Sequence, residues 1–175
     1  TLFGVADLWL SHQNRTHKSV DPQQPTVPYK TVEMFLTHPL IAISAKKRSQ
    51  ILEAFVLEQL VEVPLPRLMR QAGLFAAFFT PMATADDLVM GLHSLLTTLM
   101  NHHLEQQSLK KMDADLFAKT IQELNRLHDT LSSYCQETNE RLHYTFVSAL
   151  IQKALSSISF ALSGEPLSGL QIMGL

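Results

Sequence analysis

Apolar residues recur at helical spacing in three successive stretches of the chain, with Thr120 filling one turn of the second stretch, and this spacing constrains the fold more than any other feature. Residues at this spacing share one face of an α-helix, and that face must be covered by another element. The chain is therefore predicted to be mainly α and to form a helical bundle. The apolar positions are Leu88, Leu92, Leu95 and Leu99; Leu116, Leu124, Leu127, Leu131 and Tyr134; and Leu142, Phe146, Leu150 and Ala154, with Val147, Ile151 and Leu155 beside the last set.

Shorter helices are predicted before this bundle. Apolar residues at helical spacing indicate a first helix from Leu2 to about His12, and the polar, proline-containing residues at about 14–28 indicate a flexible loop. Thr26 is the predicted N-cap of a second helix. That helix should end near Thr37, because Pro39 disfavours helical geometry at the residue before it.

A third helix is predicted from near Ser44 to the prolines at positions 64 and 66. Two alternatives stay open at its end. Residues 60–63 could instead be extended, and Pro66 could open a further helical turn. The residues that this helix should bury are Ile51, Leu52, Phe55, Val56 and Leu60.

The run from Leu74 to Phe79 contains three phenylalanines and is too short to span a membrane. We expect it to belong to the core or to form a contact between domains. In a stand-alone helical domain, Phe75, Phe78 and Phe79 would form an apolar patch for a partner protein. A protein-protein interaction domain of this kind is one of the two functional hypotheses for the chain.

After Ser156 the apolar period shortens to two residues, which is typical of a β-strand. Ile158, Phe160 and Leu162 alternate with smaller or polar residues, and residues 170–173 are also strand-like. We therefore expect a helical domain over residues 1–157 and a small β element at the C-terminal end, over residues 158–175. The apolar end and the absence of a starting methionine indicate excision from a longer protein.

Charge limits how the chain could meet nucleic acid. Fourteen Lys and Arg residues stand against 16 Asp and Glu, so the net charge of −2 gives no global positive field. Any contact with DNA must be local and weak, through side chains expected to be exposed, and an ordinary solvated surface is the competing explanation. The candidate DNA-contact residues are Lys46, Lys47, Arg48, Arg67, Arg70, Lys110 and Lys111.

The cellular location of the protein is predicted from its cysteine content and its hydropathy. Cys135 is the single cysteine, which excludes an internal disulfide and a cysteine-based zinc cage, so a reducing cytoplasm is the predicted location. No apolar run reaches the roughly 18 residues that a membrane span needs. Cys135 itself is predicted to be a small buried hydrophobe.

No catalytic, cofactor-binding or metal-binding residue is predicted within the chain. The six glycines are scattered, so no loop could cradle phosphates. His102 and His103 are adjacent and diverge by about 100° on a helix, so they are expected to be solvated residues at a helix end. Asp86 and Asp87 follow Thr84, a predicted N-cap, and are explained by the helix dipole.

Two stretches resemble one known family. Residues 29–41, Tyr-Lys-Thr-Val-Glu-Met-Phe-Leu-Thr-His-Pro-Leu-Ile, resemble the aromatic, helix and Ser/Thr-His-Pro element of AddB-like exonuclease proteins of the Bacteroidetes type. Residues 164–175, Gly-Glu-Pro-Leu-Ser-Gly-Leu-Gln-Ile-Met-Gly-Leu, resemble a strand of the same family. These proteins are similar to superfamily-one helicases of the UvrD and RecB kind joined to a PD-(D/E)XK nuclease domain.

The resemblance implies a role in DNA end processing, recombination and repair. The helices would be the 2B-like insertion of the second motor domain, and the chain would position DNA or partner domains without catalysis. The implied partners are DNA, the parent's motor and nuclease domains and a helicase-nuclease partner subunit. The resemblance also implies that the parent uses Mg²⁺ and ATP, through residues outside this chain.

Overall fold

The computed structural model describes residues 2–17, 25–41, 43–71, 73–108 and 111–158. Within them the predominance of helix is confirmed, with one small two-stranded sheet. In chain order, the elements are α1 Leu2–His17, β1 Thr26–Pro28, α2 Tyr29–Thr37, α3 Ala45–Leu57, β2 Glu62–Pro64, α4 Leu65–Met69, α5 Leu74–Phe79, α6 Ala85–Glu105, α7 Lys111–Thr138 and α8 Tyr144–Ser157.

Helix α6 is the centre of the bundle and contacts α1, α5, α7 and α8. Its N-terminus is capped as predicted: the Asp87 amide donates to Thr84 Oγ1, and the Thr84 amide donates to the Asp87 carboxylate. The predicted apolar stripe is fully buried in the bundle, at Leu88, Leu92, Leu95 and Leu99.

Of the two adjoining stripes predicted on α8, the second is the one that is fully buried, while Leu150 and Ala154 of the first are half buried. Phe146 is half exposed, and Leu142 precedes the first residue of the helix, Tyr144. Both candidate stripes have helical spacing and are related by a rotation of about 100°. Packing against α1, α6 and α7 selects between them, and the stripe that it buries is Val147, Ile151 and Leu155.

The three phenylalanines of α5 lie inside the protein. Phe75, Phe78 and Phe79 are at most 3% exposed, and their ring centroids lie 4.5–5.3 Å from that of Phe35 on α2. His12 of α1 also contacts this cluster, with its ring 5.9 Å from Phe78. The prediction of a core element is confirmed, and the prediction of an exposed aromatic patch is wrong because α1 and α2 cover the rings.

The small sheet joins segments that lie far apart in sequence. Strands β1 and β2 are antiparallel, and each contains a proline, which cannot donate a backbone hydrogen bond to a further strand. The predicted C-terminal strands beyond Ile158 lie outside the described residues. The pairs in register are Thr26 with Pro64, Val27 with Val63 and Pro28 with Glu62.

Strand β1 corrects the predicted start of the second helix. Thr26 lies in the strand and does not cap α2, whose N-cap position is taken by Pro28. The predicted end at Thr37 is confirmed. Both alternatives left open further along are also borne out, since β2 is extended and Pro66 lies in the first turn of α4.

Helix α1 continues to His17, so residues 14–17 are helical and not part of a loop. Long-range hydrogen bonds explain the extension. Gln13 Nε2 donates to the Thr80 carbonyl over 2.9 Å, and Asn14 Nδ2 donates to Ser148 Oγ over 2.9 Å. Gln13 and Asn14 therefore bind Thr80 and Ser148, which are distant in sequence, and the local sequence does not indicate these partners.

Helix α3 ends earlier than predicted, at Leu57. Gln59 adopts a left-handed conformation, with φ of 54°, and the Leu60 amide donates to the Phe55 carbonyl over 3.0 Å. This is the Schellman arrangement, which stops a helix without a proline. Of the residues predicted to be buried here, Phe55 is buried, whereas Val56 is 61% exposed. Ile51, Leu52 and Leu60 are half buried.

Candidate nucleic-acid interface

The exposed cations of the first basic cluster stand at the N-terminus of α3. Ser44 is its N-cap, and its Oγ accepts from the Lys47 amide over 3.3 Å. Lys46 and Lys47 are exposed, and no ion pair involves either side chain within the described part of the chain. The positive end of the helix dipole adds to their charge, and the combination favours an anion such as a phosphate group.

Arg48 has a different environment from its two neighbours. Its side chain is half buried, and Nη2 donates to the Ile43 carbonyl over 3.4 Å. Its Nε is buried and has no hydrogen-bond partner among the described residues. The expectation that all three side chains are exposed is therefore wrong for Arg48, which instead holds the connection between α2 and α3.

A cavity of about 340 Å³ lies beside Lys47 and joins three parts of the chain. The α4–α5 connection contributes Gln71, which directly follows Arg70, an exposed residue of another predicted cluster. Helix α6 contributes residues from its last turns. The cavity is lined by Ile43, Ser44, Lys47, Gln71, Gly73, Leu74, Phe75, Thr98 and His102.

The two adjacent histidines at the end of α6 have different roles. His103 is 9% exposed, with Nε2 at 2.9 Å from the Leu40 carbonyl and Nδ1 at 2.9 Å from Ser108 Oγ. The prediction of a solvated residue is wrong for His103, because the α2–α3 connection packs over it. His102 is half buried, lies within 3.1 Å of Gln106 Nε2 and lines the cavity.

The last predicted cluster follows the same end of α6. Helix α7 begins at Lys111, three residues after Ser108, so their Cα atoms are at most about 11 Å apart. Lys110 and the side chain of Lys111 lie outside the described residues. The starts of α3 and α7 and the α4–α5 connection thus converge near the C-terminal end of α6.

Arg67 does not join this group. Its guanidinium donates two hydrogen bonds to the carboxylate of Glu58, one of them with Nη2 at 2.7 Å from Oε1, and it lies 4.9 Å above the Phe55 ring. The hydrogen bonds lower the pKa of Glu58. Glu58 is the C-cap of α3, about 18 Å along the helix from Lys46, and it neutralises the charge of Arg67.

A second cavity, of about 600 Å³, lies at the opposite end of α6. Cys135 and Tyr144 line it, and Cys135 is half buried, not fully buried as predicted. Burial and the nearby Asp87 carboxylate raise the pKa of Tyr144 to about 12. No group of three metal-ligating side chains occurs in the described ranges. The polar lining residues are His17, Thr84, Asp86, Cys135, Glu140, Arg141, His143 and Tyr144.

Comparisons with family models, with curated proteins and with solved structures found no match for this chain. Among the described helices, none has both the length and the apolar character needed to cross a membrane.

Proposed function

We propose that this chain is the non-catalytic, helical accessory domain of a larger DNA helicase-nuclease that acts in DNA end processing, recombination and repair. The structural observation that carries the proposal is that the N-terminus of α3, with the exposed Lys46 and Lys47, lies beside the α4–α5 connection, which follows the exposed Arg70, near the C-terminal end of α6. Together with the family resemblance of residues 29–41 and 164–175, this arrangement favours a surface that positions DNA.

In this proposal the bundle corresponds to the 2B-like insertion of the second motor domain. The parent's motor and nuclease domains supply the chemistry with Mg²⁺ and ATP, in the cytoplasm, and a partner subunit completes the assembly. The present chain contributes scaffolding and electrostatic guidance only.

Contact with DNA is local, because the net charge of −2 provides little long-range attraction. Lys46 and Lys47 are exposed and carry the contact, aided by Arg70 and by the segment that contains Lys110 and Lys111. Arg48 and Arg67 have no direct role, since protein groups already bind their guanidinium nitrogens. Each neutralised phosphate adds about −0.9 to the salt slope on duplex DNA, so two lysines contribute about −2.

The test measures binding of a fluorescent oligonucleotide, single-stranded or duplex, across a range of salt concentrations. Replacing Lys46 and Lys47 with Ala should weaken binding several-fold at low salt and flatten the salt slope by about 2. The control replaces Lys30, which is paired with Glu33, and Lys153; both are exposed lysines, on α2 and α8. Equal weakening in both double variants, or none in the first, contradicts the proposal.

A second candidate function is a protein-protein interaction domain, now through residues other than the buried phenylalanines. The observation in its favour is an exposed apolar group where α3 ends: Val56, Leu57 and Val61 are 61%, 83% and 79% exposed. In calorimetry with the partner protein of such a stand-alone domain, Leu57→Ser with Val61→Ser should abolish association if this surface is the contact. Unchanged association excludes it.

A further inference from the structure

We infer that His103 is a positioning residue, which holds the α2–α3 connection against the end of α6 and thereby places Lys46 and Lys47. The inference rests on the proposed DNA contact for its functional meaning. Its structural basis is independent of that function, because it follows from the hydrogen bonds of one buried side chain.

The imidazole of His103 joins two parts of the chain that are 63 residues apart. Its Nε2 lies 2.9 Å from the Leu40 carbonyl, and because a carbonyl can only accept, Nε2 must carry the hydrogen. Its Nδ1 lies 2.9 Å from Ser108 Oγ, and that oxygen also lies 3.3 Å from the His103 carbonyl. The ring is therefore held in one orientation, between the Leu40 carbonyl of the α2–α3 connection and Ser108, which follows α6.

The α2–α3 connection is held partly by packing, since Ile41 is buried and Leu40 and Ile43 pack against the core. It lies between two helices, and its own hydrogen bonds are short-range: the Leu40 amide donates to His38 Nδ1 over 3.2 Å, and the Ile41 amide donates to the His38 carbonyl over 2.9 Å. The bond from His103 is the contact by which a carbonyl of this connection is tied to α6.

The restraint extends from Leu40 to the basic residues over a short distance. Ile43, three residues further on, accepts from the Arg48 guanidinium, and Ser44 caps the helix that begins with Ala45. Displacing Leu40 therefore displaces the first turn of α3 as a unit. Lys46 and Lys47 lie in that turn, so their position depends on His103 although they do not contact it.

The experiment compares His103→Leu with His103→Gln in the whole chain. Leucine removes both hydrogen bonds and retains apolar volume, whereas the glutamine amide can still donate to the Leu40 carbonyl. Amide hydrogen exchange is measured at residues 43–51 and in the centre of α6. His103→Leu should accelerate exchange at residues 43–51 at least tenfold, with α6 unchanged, and His103→Gln should restore most of the protection.

Oligonucleotide binding is measured on the same proteins. His103→Leu should weaken binding several-fold and flatten the salt slope as the Lys46 and Lys47 double variant does, and His103→Gln should recover it. If His103→Leu accelerates exchange equally throughout, the residue is ordinary core and the inference fails. Ser108→Ala removes only a surface hydroxyl, so this variant should fold normally. Its amide exchange at residues 43–51 should be faster than in the wild type, as in His103→Leu, and an unchanged rate there overturns the inference.

Failure of the proposed function gives a different result. If the wild-type chain binds no DNA, the DNA contact is refuted, while local exchange at residues 43–51 still decides whether His103 positions the start of α3. If DNA binding requires Lys46 and Lys47 but is unaffected by His103→Leu, the contact stands and the positioning role is refuted.

Discussion

The buried imidazole of His12 should make the protein sensitive to mild acid. His12 is 3% exposed and lies against the rings of Phe78 and Phe79, and its Nε2 has no hydrogen-bond partner among the described residues. Burial lowers the pKa of His12 from the ordinary histidine value of about 6.5 to about 4. The folded protein therefore holds the ring neutral at pH values where the unfolded chain binds a proton.

The direction and size of the effect follow from this difference in pKa. Between pH 6.5 and pH 4 the unfolded state binds more protons, so the free energy of unfolding falls as the pH is lowered. The contribution of His12 is fully present above pH 6.5 and is lost as the pH falls towards 4. A pKa lowered to about 4 corresponds to about 2 kcal/mol lost between pH 7 and pH 5, and roughly 3 kcal/mol in total.

The assay is urea unfolding at pH 7 and pH 5, followed by the fluorescence of Trp9, the single tryptophan, which is fully buried. His12→Asn removes the titrating ring but keeps a side-chain donor. It should lower stability at pH 7 because it leaves a cavity, yet its loss of stability between pH 7 and pH 5 should be about 2 kcal/mol smaller than that of the wild type. His128→Asn, at a half-buried histidine of α7, is the control. An identical pH dependence in wild type and His12→Asn refutes the reasoning.

Two further predictions concern stability at neutral pH, measured by thermal or urea unfolding. Thr84→Ala removes the Thr84 hydroxyl from the α6 capping box and should lower the free energy of unfolding by about 1 kcal/mol. Thr130→Ala, within α7, should lower it by less. Equal losses of stability would show that the cap contributes nothing specific. Phe78→Ala opens a cavity among buried rings and should cost about 3–5 kcal/mol, while Phe146→Ala should cost under about 1 kcal/mol because Phe146 is half exposed. Similar costs for the two phenylalanines would mean that α8 presents Phe146 to the core after all.

The basic residues show how far a candidate site can be predicted from sequence. Clusters of Lys and Arg are visible directly, but their environments are not. Lys46 and Lys47 are exposed as expected, whereas Arg48 binds the Ile43 carbonyl and Arg67 binds Glu58, nine residues away. These partners lie five and nine residues away, outside the i,i+3 and i,i+4 spacing of side chains on one helix, so the helical pattern does not distinguish a free guanidinium from an occupied one.

The sequence by itself determined the features that depend on neighbours within one helical turn. The helical class, the Thr84 cap, the start of α3 near Ser44 and the end of α2 before Pro39 all follow from local backbone chemistry, and the structure contains each of them. A hydroxyl that caps a helix or a proline that ends one acts over three or four residues, whatever the rest of the chain does.

Only the tertiary structure decided which of several compatible faces became core. It buried Phe75, Phe78 and Phe79, turned Phe146 of α8 towards solvent and enclosed His103 under the α2–α3 connection. Each alternative satisfies the same helical spacing, and burial is a property of the facing element, which is distant in sequence. The physical reason is that periodicity specifies that a stripe exists, whereas complementary packing between helices specifies which stripe is excluded from water.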